Sequence, residues 1–192
     1  MSARIDALEP LAPDVVLAWR GIEDGAFLSV RREVRRRSGD GSAQRVVPQL
    51  AAVAEAMQAV IAALPERAFS MPGGEGDWNV AQAIGHAADS RAGLAMAGAL
   101  AAAGRWPADP PAVVPGIPGA ATATRDQLQR RVAASQRLVE RAARSIAGHE
   151  LDPCPLVHPL VGRLRCGEWL LFSGMHDLMH LDQLERLEAT LR

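Results

Sequence analysis

In the stretch Trp169-Leu170-Leu171-Phe172-Ser173-Gly174-Met175-His176-Asp177-Leu178-Met179-His180-Leu181, apolar residues and two histidines recur at helical spacing. At 3.6 residues per turn, Trp169, Phe172, Ser173, His176, His180, Gln183, Leu184 and Leu187 fall within an arc of roughly 100°, so both histidines lie on a core-facing stripe. Side chains at i and i+4 stack on one face, and both imidazoles can therefore point at one atom. Neutral imidazole is a common metal ligand, so the pair amounts to half a site. Taken alone, this helix fits two buried, hydrogen-bonded core histidines equally well.

Outward from that helix (about 167–190), alanine is abundant, β-branched runs are short, and helical spacing persists, which predicts an all-α chain. A first helix over about 13–37 carries Val15, Trp19, Ile22, Ala26, Val30 and Val34 and ends in a run of arginines, where a helix C-terminus favours cations. Ser38-Gly39-Asp40-Gly41-Ser42 breaks it, and a second helix follows over about 44–63. Beyond the glycine-rich loop Pro72-Gly73-Gly74-Glu75-Gly76, Asn79 and Gln82 form a capping box that opens a helix to about Gly104. A proline-rich connection, Pro107 to Pro118, is too long for a tight turn. Thr124 and Gln127 make a second capping box, opening a helix to about Gly148 whose inward stripe is Leu128, Val132, Ser135, Val139, Ala142 and Ile146. Residues 152–164 read as another proline-bearing loop. The sum is an antiparallel four-helix bundle over residues 44–192, preceded by an extra N-terminal helix and linker over 1–43.

Length suits one domain, and 21 basic against 22 acidic residues give no basic patch for nucleic acid or an anionic membrane. Every basic residue is arginine and tyrosine is absent, which excludes a Schiff-base lysine and a phenolic acid. The first residues lack the apolar core of a secretion signal, no uninterrupted apolar run reaches the roughly 20 residues of a membrane span, and Cys154 and Cys166 are too few for a disulfide framework. A soluble, cytoplasmic protein is expected.

A third histidine completes the pair. His86 sits two turns into the capped helix, on a face with the small residues Ala83, Ser90, Gly93 and Ala97 and with Gln82 and Asp89 at its margins. Small neighbours leave room for a ligand or a close helix. Three inward histidines on two bundle helices are harder to explain as core residues than one.

Gly76-Asp77-Trp78-Asn79-Val80-Ala81-Gln82-Ala83-Ile84-Gly85-His86-Ala87-Ala88-Asp89-Ser90 resembles the first histidine motif of the DinB/YfiT-like superfamily of metal-dependent four-helix bundles, in which a Trp and a small cap precede His-x-x-Asp. The segment from His158-Pro159-Leu160 through Gly167-Glu168-Trp169 to His176-Asp177-x-x-His180 is similar to the second. The resemblance covers about 44–192; Asn79 stands where the cap is usually Ser or Thr. It implies one divalent metal (Zn, Ni, Fe or Mn) on His86, His176 and His180. Three protein ligands leave a position open for substrate, the catalytic rather than the structural pattern.

Characterised relatives include transferases that join low-molecular-weight thiols to electrophiles, so the resemblance implies a metal-dependent enzyme that activates such a thiol, or water, against a small-molecule substrate. Asp89 and Asp177 are candidates to orient imidazoles or shuttle a proton, although Asp177 falls near the stripe's edge, where a solvated carboxylate is normal. A non-catalytic metal-binding or stress-associated module and a hydrolase of small amides or esters are the alternatives. His176-Asp177-x-x-His180 differs from the metalloprotease His-Glu-x-x-His in its shorter acid, and no Glu-x-x-His of a di-metal bundle occurs. His158 lies in a loop able to fold over the bundle mouth. Apolar residues behind the histidines (Leu171, Met175, Leu178) suit a central helix or one packed across a homodimer interface.

Overall fold

The structure, a computed structural model, describes residues 2–22, 27–74, 76–110 and 113–191. Four long helices form the bundle: α4 (Ser42–Ala63), α5 (Val80–Ala102), α6 (Arg125–Ile146) and α7 (Cys166–Thr190). Before them come α1 (Ala3–Leu8), α2 (Pro13–Arg20) and α3 (Phe27–Arg37). Both capping boxes are present, Asn79 with Gln82 and Thr124 with Gln127, and each fixes the start of a bundle helix by satisfying its first free N–H groups.

Named contacts give the helix directions. Arg125 Nη2, at the start of α6, donates to Leu64 O just past the end of α4 (2.6 Å), so these two run antiparallel. Asn79 Nδ2 donates to Ala121 O (2.9 Å) and Arg131 pairs with Asp89, so α5 and α6 run side by side in one direction. Gly98, late on α5, faces the carbonyl of Cys166 at the start of α7. Leu50 of α4 faces Gly174 of α7, while Ala43 N donates to Glu150 Oε1 (3.3 Å) just upstream of α7. Helices α4 and α7 thus point one way, α5 and α6 the other.

Parallel neighbours explain the proline-rich connection. A 23-residue helix is about 34 Å long at 1.5 Å per residue, and residues 103–124 must carry the chain back along α5 before α6 can start beside it. This strap is pinned at Val114, whose N–H donates to Val157 O, and at Gly119, whose N–H donates to Gln82 O (both 3.0 Å).

Each helix's burial follows its pattern. Helix α6 keeps one apolar face inward (Leu128, Val132, Ser135, Val139, Ala142, Ile146) and its arginines out. Helices α5 and α7 are buried on most of their circumference, as their nearly continuous apolar sequence requires. Helix α4 is long and apolar enough to cross a membrane by length and composition alone, yet it contains Arg45 and Glu55 and buries Val46, Leu50, Val53, Met57, Val60 and Ile61 in the bundle.

Two local expectations are corrected. The single helix over 13–37 is two: α2 is capped at Gly21, where an added Cβ would lie 2.6 Å from the buried Glu33 carboxylate, and α3 starts at Phe27; Ala26 lies outside the described residues. The loop over 152–164 is a hairpin of β1 (Pro153–His158) and β2 (Gly162–Arg165). Prolines 153 and 155 hid it, but a two-stranded ribbon has an unpaired edge on each strand where a missing N–H costs nothing.

Candidate metal centre

The three histidines predicted to act together do come together. One ring nitrogen from each of His86, His176 and His180 lies within 4.8 Å of the others. Ring centroids are 4.7 Å apart for His176 and His180, and 5.3 and 5.4 Å from His86 to each. Antiparallel packing of α5 on α7 brings His86 opposite the i, i+4 pair, and Trp78, just ahead of the α5 cap, tilts against His86 at 4.9 Å.

Hydrogen bonds set the tautomers of two rings. His86 Nδ1 lies 2.8 Å from Ile117 O on the strap. A carbonyl only accepts, so Nδ1 carries the proton and Nε2 presents a lone pair. His180 Nδ1 lies 3.0 Å from Gln183 Oε1. The Gln183 amide is held the right way round because its Nε2 donates to Gly73 O. That contact gives the glycine-rich loop a purpose, since Gly74 beside it has φ +79° and packs on the same side chain.

His176 differs. Its Nδ1 is buried without a hydrogen-bond partner. Burial, reinforced by the neighbouring His180, His86 and His158, holds its pKa well below the usual histidine value. A neutral imidazole with an orphaned nitrogen beside two pre-oriented lone pairs is a donor set that fits a divalent cation.

Both carboxylates expected to serve these imidazoles are engaged elsewhere. Asp89 points toward α6, its Oδ1 accepting from Arg131 Nε at 2.6 Å in a half-exposed pair. Asp177 is buried, not solvated, and faces Arg91 Nη1 at 3.0 Å inside the bundle. Burial pushes its carboxyl up to about 7 despite the pull of that arginine. The edge of the histidine stripe is not a water-facing edge, because α7 packs on α5, α4 and the N-terminal helices together. Orientation of the imidazoles falls instead to the Ile117 carbonyl and Gln183. The latter was visible in sequence as His180-x-x-Gln183; a strap carbonyl leaves no sequence signal.

Above the triad lies a cleft of about 450 Å³ reaching His86 and His176, with Phe172 and Met179 from α7, His158 and Leu160 from the hairpin, and Trp19 and Val30 from the N-terminal helices. His158 stacks edge-on against Phe172 at 5.1 Å, its pKa lowered by burial. Burial also pushes the Cys166 thiol up to about 12 and raises that of Cys154, so neither is poised as a nucleophile.

Gly85 controls the strap's approach. A Cβ there would fall 2.8 Å from Gly119 Cα, a backbone atom that cannot swing away. Gly85→Ala is therefore expected to cost about 1–3 kcal/mol in urea unfolding and to weaken metal binding by lifting Ile117 O from His86. Gln183→Leu should lower metal affinity roughly 10–100-fold in a competition titration, with a much smaller effect on the unfolding of metal-free protein.

Neither the search of curated proteins nor that of solved structures returned a match. The sequence model of the DinB superfamily matches residues 49–184, a span that runs from α4 through both histidine-bearing helices, and the chain belongs to that superfamily.

Proposed function

We propose that this protein is a metal-dependent enzyme in which His86, His176 and His180 hold one divalent cation at the foot of a cleft open to small molecules. The observation that carries the reading is the convergence of three imidazoles, His86 and His180 buried and His176 half-buried, two of them with their proton fixed on the nitrogen away from the site. A divalent cation so held supplies Lewis acidity, lowering the pKa of a bound thiol or water into the neutral range. The protein's own residues do the rest. Ile117 O and Gln183 keep Nε2 of His86 and His180 aimed inward, and Phe172, Met179 and Val30 give the cleft apolar walls against which a small molecule can pack. The concrete form of the proposal is transfer of a low-molecular-weight thiol to an electrophilic small molecule.

The test is conjugation of a small thiol to a chromogenic aryl halide by protein loaded with zinc, nickel, iron or manganese. Metal-dependent conjugation that is lost in His176→Ala supports the transferase reading. Equal rates without metal contradict it, and metal-dependent ester cleavage without any thiol replaces it by hydrolysis.

A further inference from the structure

His86 also borders a second cavity, of about 330 Å³, on the other side of Val114 and Pro115, which line both. Its surface is made by Gly93, Leu94 and Ala97 of α5, by Trp106 and Ile117 of the strap, and by Leu156 of β1. The polar side chains on it are His86, Ser90 and Asp89, and Asp89 is already neutralised by Arg131. No arginine lines it among the described residues. An anionic body lying along these walls would lose its hydration and meet no cationic side chain, a cost of several kcal/mol.

Two further observations bear on an occupant. Gly93 sits in the middle of a 23-residue helix, where glycine costs about 1 kcal/mol relative to alanine, yet a Cβ there would meet nothing within 4 Å. Helix packing does not call for this glycine; its effect is to deepen the cavity. At the rim, Ile117 is 61% exposed, a large apolar side chain left in water on an otherwise proline-stiffened strap.

We propose that this cavity binds an uncharged, predominantly apolar organic molecule, its ring or hydrocarbon body against Gly93, Ala97 and Trp106 and its reactive end beside His86, where the two cavities meet. The volume lies in the range of ordinary small-molecule sites. The assignment of the reactive end rests on the proposed function above; the binding of the body does not. In a transfer reaction this places the acceptor in the second cavity and leaves the cleft above His176 to the thiol.

The experiment is fluorescence titration of the full chain with N-phenylnaphthylamine, an uncharged aromatic probe, and with its sulfonated analogue of the same ring system. The neutral probe is expected to bind at least tenfold more tightly than the sulfonate. Gly93→Leu should weaken the neutral probe tenfold or more while metal content stays unchanged, and Ala97→Leu repeats the test should Gly93→Leu fail to fold. His176→Ala should keep probe binding while losing metal, which separates this proposal from the metal reading. Equal affinity for the two probes, or undiminished binding of the neutral probe by a folded Gly93→Leu or Ala97→Leu protein, would overturn it.

Discussion

Arg91→Ala is expected to lower the free energy of unfolding by about 3–5 kcal/mol, a large part of the stability of a domain this size. Arg91 is 1% exposed and extends from α5 to each of the other bundle helices. Its Nη2 donates to Leu50 O of α4 at 2.6 Å and to Gln136 Oε1 of α6, and its Nη1 lies 3.0 Å from Asp177 Oδ2 of α7, close in charge though not aligned as a hydrogen bond. Burial lowers the Arg91 pKa, and Asp177 and Glu140 oppose that effect. Removing the guanidinium leaves the Asp177 carboxyl buried without its cation, takes a donor from Leu50 O and Gln136 Oε1, and leaves a void the size of the side chain. The apolar double variant Arg91→Met with Asp177→Leu should recover much of the loss, because a buried pair is expensive to break and cheap to replace. Urea unfolding checks both; a loss below about 1 kcal/mol for Arg91→Ala would show that the contacts across the helices carry no weight.

The second large effect is expected from the ligands themselves. His86→Ala should lower divalent-metal affinity by at least about a hundredfold, since it removes one of three donors and the ring that ties the strap to the site. Metal at a hundred times its dissociation constant should stabilise the unsubstituted protein by about 2.7 kcal/mol, seen as a rise in Tm, and that rise should vanish in His86→Ala. Without metal the substitution should cost less than Arg91→Ala, because the contacts given up are those with Ile117 O, Ser90 and the Trp78 ring and no buried charge is left unpaired. A Tm that rises equally in both proteins would place the cation elsewhere.

Much of this was legible in the sequence because its signals are local. Asn79-x-x-Gln82 and Thr124-x-x-Gln127 announce helix starts through side chains three residues apart, and the six-residue stripe from Leu128 to Ile146 is read at one turn per step. The triad was legible because His176 and His180 are one turn apart and His86 lies on a separately capped helix. What escaped depends on tertiary contact. Asp177 looked like an edge residue because its helix was judged from one stripe; in the bundle Leu170, Gly174, Asp177, Leu181 and Leu184 form a second buried stripe. Arg91 was a lone charge on the apolar face Ile84, Ala88, Ala95, and its partners are contributed by three other helices. The β-hairpin was masked by prolines that a two-stranded ribbon tolerates, and the path of the strap was set by the parallel placement of α5 and α6.

The most direct test is elemental analysis of the purified protein beside His176→Ala, both prepared without chelators and supplied with divalent metal. The geometry of His86, His176 and His180 predicts about one equivalent of a divalent metal per chain in the first and close to none in the second. Metal-free wild-type protein after supplementation, or equal metal in both, would contradict a three-histidine centre.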